Sequence, residues 1–175
     1  MACDPAIMSD HRIRPVRPDD AASIAAIYTH HVLHGTATFD IDPPDAAFWC
    51  EKIASIAARG WPFLVAERDG VVAGYAYATQ FRDRPAYAET CENSIYIAPD
   101  HLGRGIGSRL LPALVEAAGQ AGFHQMIAVI GGGEVASVAL HAKYGFVHAG
   151  RMIGVGRKFG LVLDTIYMQR ALYAD

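Results

Sequence analysis

The sequence predicts a mixed α/β domain built around one twisted sheet. Three observations carry that prediction. β-Prone runs such as "PFLVAER", "VVAGYAYATQF" and "HQMIAVI" are interleaved with stretches whose apolar residues recur at helical spacing. Asp69-Gly70 joins two of those runs as a tight hairpin. The chain has 175 residues, 52 % of them hydrophobic, which suits one sizeable core without staples and argues against disorder.

A short strand is expected around Ile13 to Val16, after an opening "MACDPAIMSD" that reads as an extension, since Met8 would serve equally well as a start. The domain is therefore drawn from residue 12 to 175, with residues 1–11 outside it. Asp19 or Asp20 offers an N-cap for a helix whose inward face would be Ile24, Ile27, Tyr28 and Leu33. Pro44 opens a second helix through Phe48, Ile53 and Ile56, which Gly60 and Pro62 stop. The hairpin follows, then the polar loop "RDRPAYAETC" and the strand "ENSIYIA". Leu110, Leu111, Leu114, Val115 and Ala118 make one face of the next helix. Pro112 sits inside it, removes one backbone bond and should bend or strain its second turn. "HQMIAVI" is a buried strand, "EVASVALHAKYG" a helix closed by Gly145, and "FVHAGRMI" and "TIYMQRAL" two further strands. The order is β-α-α-β-β-β-α-β-α-β-β, in one domain without repeat or linker.

Several function classes fall away. A formal charge of −3 leaves no polybasic face, which argues against nucleic acid. No apolar run is long enough to span a membrane, and the N-terminus lacks a signal peptide's apolar core. Cys3, Cys50 and Cys91 are an odd number at wide spacing, so neither a disulfide framework nor a zinc knuckle is indicated, and a reducing, cytoplasmic setting fits best. His30 and His34 lie four apart on one helix but no third ligand accompanies them, so no metal site is expected. Ser137 and His141 share that spacing and lack an acidic orienter, which disfavours a serine hydrolase.

"YIAPDHLGRGIGSRLL" places Gly103, Gly105 and Gly107 where a helix must start. Glycine there forfeits entropy and packs nothing, so a ligand approaching the bare backbone is the natural reason. The first N–H groups of a helix have no internal partner and the dipole is positive at that end, which suits a phosphate. The pattern lacks the Gly-Lys-Ser/Thr ending of a Walker loop and the spacing of a dinucleotide fingerprint. The amides of Gly103, Arg104, Gly105, Ile106, Gly107 and Ser108 could instead cradle a pyrophosphate, with Arg104 adding charge.

"IYIAPDHLGRGIGSRLL" resembles the coenzyme A loop of the GNAT N-acetyltransferases, and the element order is theirs. More narrowly, "FRDRPAYAETCENSIYIAPD", "VIGGGEVASVALHAKYGF" and "VGRKFGLVLDTIYMQRAL" resemble the phosphinothricin and methionine sulfone/sulfoximine acetyltransferase branch. The resemblance runs from Ile13 to Leu172. It implies the GNAT fold, acetyl-CoA as donor and a homodimer. The pantetheine arm would pair with Ile95, Tyr96 and Ile97 like another strand, its pyrophosphate would sit on Gly103 to Ser108, and Ser137 and Tyr144 would be further contacts. Two positions depart from the family: Leu102 stands where Gln or Arg is usual, and Glu134 where Asn is frequent.

Moving acetyl from a thioester to an amine requires that the amine lose a proton, the oxyanion be held and the thiolate leave. By the resemblance, Glu92 is the base, and His141 stands where a histidine is proposed to be catalytic, as acid or as part of a relay. Tyr144 is the reserve acid, and the N–H groups of the Ile95 to Ile97 strand would meet the oxyanion. Direct transfer needs no acetylated Cys91. Arg82 and Arg84 suit the carboxylate or phosphinate of a glutamate-like acceptor, and Phe39, Tyr87 and Thr90 match acceptor-side positions. Leu161 and Val162 stand where an arginine and a tryptophan are usual, which predicts a wider, less polar end of the pocket. A peptide or protein N-terminus is the alternative acceptor, and a CoA-binding regulatory module without turnover the alternative class.

Overall fold

The computed structural model describes residues 11–173. Seven strands and four helices follow in the expected order: β1 (Arg12–Pro15), α1 (Ala21–His34), α2 (Ala46–Ala58), β2 (Phe63–Arg68), β3 (Val71–Gln80), β4 (Thr90–Ile97), α3 (Gly107–Gln120), β5 (Gln125–Gly131), α4 (Val135–Lys143), β6 (Val147–Lys158) and β7 (Leu161–Ala171). They form one sheet, β1-β2-β3-β4-β5-β7-β6, in which only β4 and β5 run parallel. Residues 1–10 of the expected extension, Met8 among them, lie outside the described residues. His11, which the expected boundary leaves outside the domain, is buried with its ring edge-on to His101.

Each face of the sheet carries its own core. On one side Ile24 and Ile27 of α1 and Trp49 and Ile53 of α2 cover Val65, Tyr75 and Tyr77. On the other, Leu110, Leu111 and Leu114 of α3 pack over Ala76, Cys91, Met126 and Met168. The α3 face is as expected. In α1 the inward residue of the last turn is Val32, while Leu33 is exposed; in the first turn of α2 it is Trp49, while Phe48 is exposed. In α2 the interlocked ring cluster decides: Trp49 meets the rings of Tyr28, Tyr75 and Tyr77.

Three local differences have simple causes. Asp45, not Pro44, starts α2, its Oδ1 accepting the N–H of Phe48 at 2.9 Å. Asp20 stands at the N-cap of α1 without capping it, because its carboxylate receives Arg14 at 2.8 Å and the N–H of Arg17 at 2.7 Å. The segment between the last two expected strands is itself strand: β6 and β7 form one long ribbon, turned at Phe159 and Gly160, both with positive φ. The Asp69-Gly70 turn also has positive φ at both residues, the geometry that suits a two-residue hairpin.

α3 continues through Pro112. Proline has no N–H for the carbonyl four residues back, that of Ser108. The Tyr144 hydroxyl donates to that oxygen at 2.6 Å.

Candidate active site

The site arises where β4 and β5 part. Their pairing runs from Thr90↔Gln125 to Asn93↔Ala128 and stops, while β4 continues to Ile97. On its other edge β4 pairs with β3 in unbroken register, with Phe81 N–H donating to Thr90 O and Ala98 N–H to Ala73 O. In an antiparallel ladder the hydrogen-bonded residues alternate. The main-chain groups of Thr90, Glu92, Ser94 and Tyr96 therefore face β3, and those of Asn93, Ile95 and Ile97 face the gap. Tyr96, expected to share in pairing a ligand, has its backbone turned to Tyr75; the open edge belongs to Ile95 and Ile97. His31 Nε2–H donates to the Ile97 oxygen at 2.8 Å.

A cavity of about 270 Å³ fills this gap, lined by β4 from Glu92 to Ile97, by Ala128 to Ile130, by Ser137, Leu140 and His141 of α4, and by His31, Leu102 and Glu134. Side chains on a strand alternate faces. Tyr96 belongs to the α1/α2 core and Cys91 to the α3/α4 core, so Glu92 approaches from the α1/α2 side and Asn93 from the other. Burial raises the Glu92 carboxyl above its ordinary value, with Arg82 and Lys52 opposing. His141 is 1 % exposed and packs edge-on against Phe146. Its Nδ1–H donates to the Ser137 oxygen at 2.8 Å and its Nε2 lies 3.2 Å from Asn93 Oδ1. Burial holds its pKa below the usual histidine value.

Leu102 leads from the cavity into the glycine turn. Gly103 and Gly105 have φ of +72° and +76°, and a Cβ on either would meet nothing within 4 Å, so conformation rather than crowding requires glycine. Gly107 is different: it begins α3 at ordinary φ, and a Cβ there would come within 3.0 Å of Leu140. Among the described residues, no backbone carbonyl accepts from the N–H groups of Gly103 to Ser108. The Ile106 side chain is buried, and the Arg104 and Leu102 side chains are exposed.

The remaining expected residues are placed as follows. Phe39 lies on the loop between α1 and α2 against Gly131 and Gly156; a Cβ at Gly156 would sit 2.4 Å from its ring. Buried Lys158 fastens that loop by donating to Thr38 O at 2.9 Å, and Tyr28 binds Thr38 and Asp40. Glu134 closes the loop's other end, accepting from Thr36 Oγ1 at 2.9 Å. Arg82, Arg84 and Tyr87 are exposed on the loop before β4, where Gln80 Nε2 holds the carbonyls of Arg82 and Arg84. Thr90 begins β4. Tyr144 does not line the cavity, and its hydroxyl is engaged by Ser108. Leu161 and Val162 are exposed at the ribbon tip, away from the cavity lining. The Cys91 thiol is buried and pushed up to about 12, which suits no nucleophile.

Sequence reasoning missed three groups. Lys52 lies over the Tyr77 ring at 4.5 Å on the Glu92 side of the sheet. His31 and Asn93 line the cavity. Their partners are 66 and 48 residues away, so no local pattern marks them.

An open strand edge leading to unpaired turn amides fits a long ligand with amide groups at one end and phosphates at the other. The family model for the Acetyltransferase (GNAT) family matches residues 18–146, and the chain belongs to that family. It is an acetyl-CoA-dependent N-acetyltransferase. A phosphinothricin N-acetyltransferase of Alcaligenes faecalis is 49 % identical over 163 residues, 93 % of this chain and 83 % of the relative. An L-methionine sulfoximine/L-methionine sulfone acetyltransferase of Salmonella typhimurium is 38 % identical, over 87 % of this chain and 90 % of the relative. The crystal structure of a GNAT superfamily phosphinothricin acetyltransferase from Sinorhizobium meliloti in complex with acetyl-CoA superposes with a TM-score of 0.90 at 44 % identity, covering 92 % of this chain and 88 % of that one.

Proposed function

We propose that this enzyme acetylates the α-amine of a small amino-acid-like acceptor of the phosphinothricin or methionine sulfone/sulfoximine kind, by direct transfer with Glu92 as general base. The observation that carries this is the convergence of Glu92 from one face of the sheet, and of the Asn93–His141 pair from the other, on the open main-chain edge of Ile95 and Ile97. The names of the relatives support the acceptor class.

Bound acetyl-CoA supplies the acyl thioester. The N–H groups of Ile95 and Ile97 donate to the ligand in the gap, and the amides of Gly103 to Ser108, with Arg104, hold its phosphates. Ser137 lines the path between them. Glu92 takes the proton of the acceptor ammonium; its raised pKa brings it closer to the amine it serves. Arg82 and Arg84, with Lys52 beside Glu92, give the acceptor's carboxylate a cationic partner, and Phe39, Tyr87 and Thr90 border it. His141, neutral in its buried setting, belongs to the proton path toward the sulfur.

The catalytic domain runs from residue 12 onward with His11 packed on it. Val147, Met152, Ile153 and Val155 are exposed along β6, an apolar row that favours a homodimer. Cys50 and Cys91 are both free thiols, which agrees with a cytoplasmic setting.

The test is thiol release from acetyl-CoA with phosphinothricin, methionine sulfone, methionine sulfoximine and a peptide with a free N-terminus. Release with the small acceptors is expected. Release with the peptide alone would favour the N-terminal reading, and acetyl-CoA binding without release would favour a regulatory module. Glu92→Gln should lower turnover by about 100-fold or more near neutral pH and recover as the acceptor amine loses its proton unaided. The ionised carboxylate is the active form, so the acid limb of kcat/KM should lie above the ordinary value of about 4.3. An equal loss at every pH would remove Glu92 from this role.

A further inference from the structure

Asn93 and His141 are 6 % and 1 % exposed and meet across the cavity wall. His141 Nδ1 faces the Ser137 main-chain oxygen at 2.8 Å, and a carbonyl has no proton to give, so Nδ1 carries one. In the neutral ring Nε2 is then a bare lone pair, yet the atom 3.2 Å from it is Asn93 Oδ1, another acceptor. The Asn93 amide nitrogen is meanwhile buried with no hydrogen-bond partner among the described residues. Two acceptors in contact and one orphaned donor have a common remedy. Turning the carboxamide by half a turn exchanges two groups of equal size and leaves every other contact in place.

We propose that Asn93 is a positioning residue that holds His141 as the neutral, Nδ1-protonated imidazole, donating from Nδ2 to Nε2. The role rests on the reading of His141 as part of the proton path. It also restricts that path, because a ring held this way has no proton to give and can only accept one. On accepting it, Nε2–H needs an acceptor, so the carboxamide turns back and Oδ1 meets Nε2–H.

The surroundings favour the neutral ring. Among the described residues no carboxylate lies within hydrogen-bond reach of either ring nitrogen. Glu92 of β4 is on the opposite face of the sheet, Glu134 is engaged by Thr36, and His31 of α1 by Ile97. Lys143 of α4 reaches Ser108, Arg170 of β7 donates to the Tyr144 oxygen, and Arg109 of α3 is exposed. Burial lowers the pKa in the same direction.

The test is long-range ¹H–¹⁵N spectroscopy of the histidine rings in the full-length protein near neutral pH. His141 should show a protonated Nδ1 and a bare Nε2; an imidazolium or the Nε2–H tautomer overturns the proposal without any variant. The ionised carboxylate of Asn93→Asp can only accept and adds a negative charge, so it favours a proton at Nε2. The ring's pKa should rise by about one unit or more, and the acid limb of kcat should move up with it. An unchanged ring titration in the folded variant overturns the proposal. If His141→Ala keeps full kcat while the wild-type ring shows the expected tautomer, it is the proton-path reading that fails, and the hydrogen-bond assignment stands.

Discussion

Replacing Tyr144 by phenylalanine is expected to cost stability and leave the chemistry almost untouched. Pro112 deprives the Ser108 carbonyl of its helical donor, and the Tyr144 hydroxyl supplies one at 2.6 Å. The contact is half-buried, so losing it should cost about 1 kcal/mol, the net worth of an ordinary hydrogen bond. For a domain of this length that corresponds to a fall of about 2–4 °C in Tm. The double-mutant cycle with Pro112→Ala isolates the cause, because alanine restores an N–H that can donate to Ser108. In that background Tyr144→Phe should cost only a few tenths of a kcal/mol. Thermal melts followed by circular dichroism give the four stabilities, and thiol release gives kcat for the same preparations. A hundredfold loss of kcat with unchanged Tm would make Tyr144 the acid and its place on Ser108 incidental. An equal loss of stability in both backgrounds would remove Pro112 from the explanation.

Two further outcomes follow from the geometry. Gly156→Ala puts a Cβ 2.4 Å from the Phe39 ring, an overpacking of about 1–3 kcal/mol that must displace the loop; KM for the acceptor should rise while KM for acetyl-CoA holds, with Gly150→Ala, where nothing lies within 4 Å, as the neutral control. Gly105→Val meets no neighbour but must hold φ near +76°, so about 1–2 kcal/mol of backbone cost should appear as roughly tenfold weaker acetyl-CoA binding by calorimetry, and unchanged affinity would refute the cradle.

The element order was legible because each segment carries a clear period: the five apolar residues of α3 and the Asp-Gly hairpin leave little choice. Helix faces were less so. In α1 Val32 and Leu33 are neighbours, as are Phe48 and Trp49 in α2, and a one-residue choice between apolar neighbours is settled only by what lies across the interface. The segment "GVGRKFGLVLD" reads as loop because its glycines and charges mask an alternation that the partner strand completes. Glu92 and His141 came from the resemblance. Asn93, His31 and Lys52 came from neither motif nor spacing, because a polar residue takes its role from whatever the fold brings to it.

The placement of Glu92 next to Asn93 shows what the sheet contributes beyond support. Adjacent residues on a strand point to opposite faces, so the carboxylate stands with α1 and α2 while the carboxamide meets His141 beneath α4. Had both groups shared a face, the carboxylate and the imidazole could have paired. That would lower the Glu92 pKa and raise that of His141, the reverse of the shifts that burial produces here. Kept apart by the strand, Glu92 remains a carboxylate of raised basicity and His141 a neutral ring, both open to the same gap. A one-residue slip in the register of β4 would exchange the two faces and undo both conditions at once.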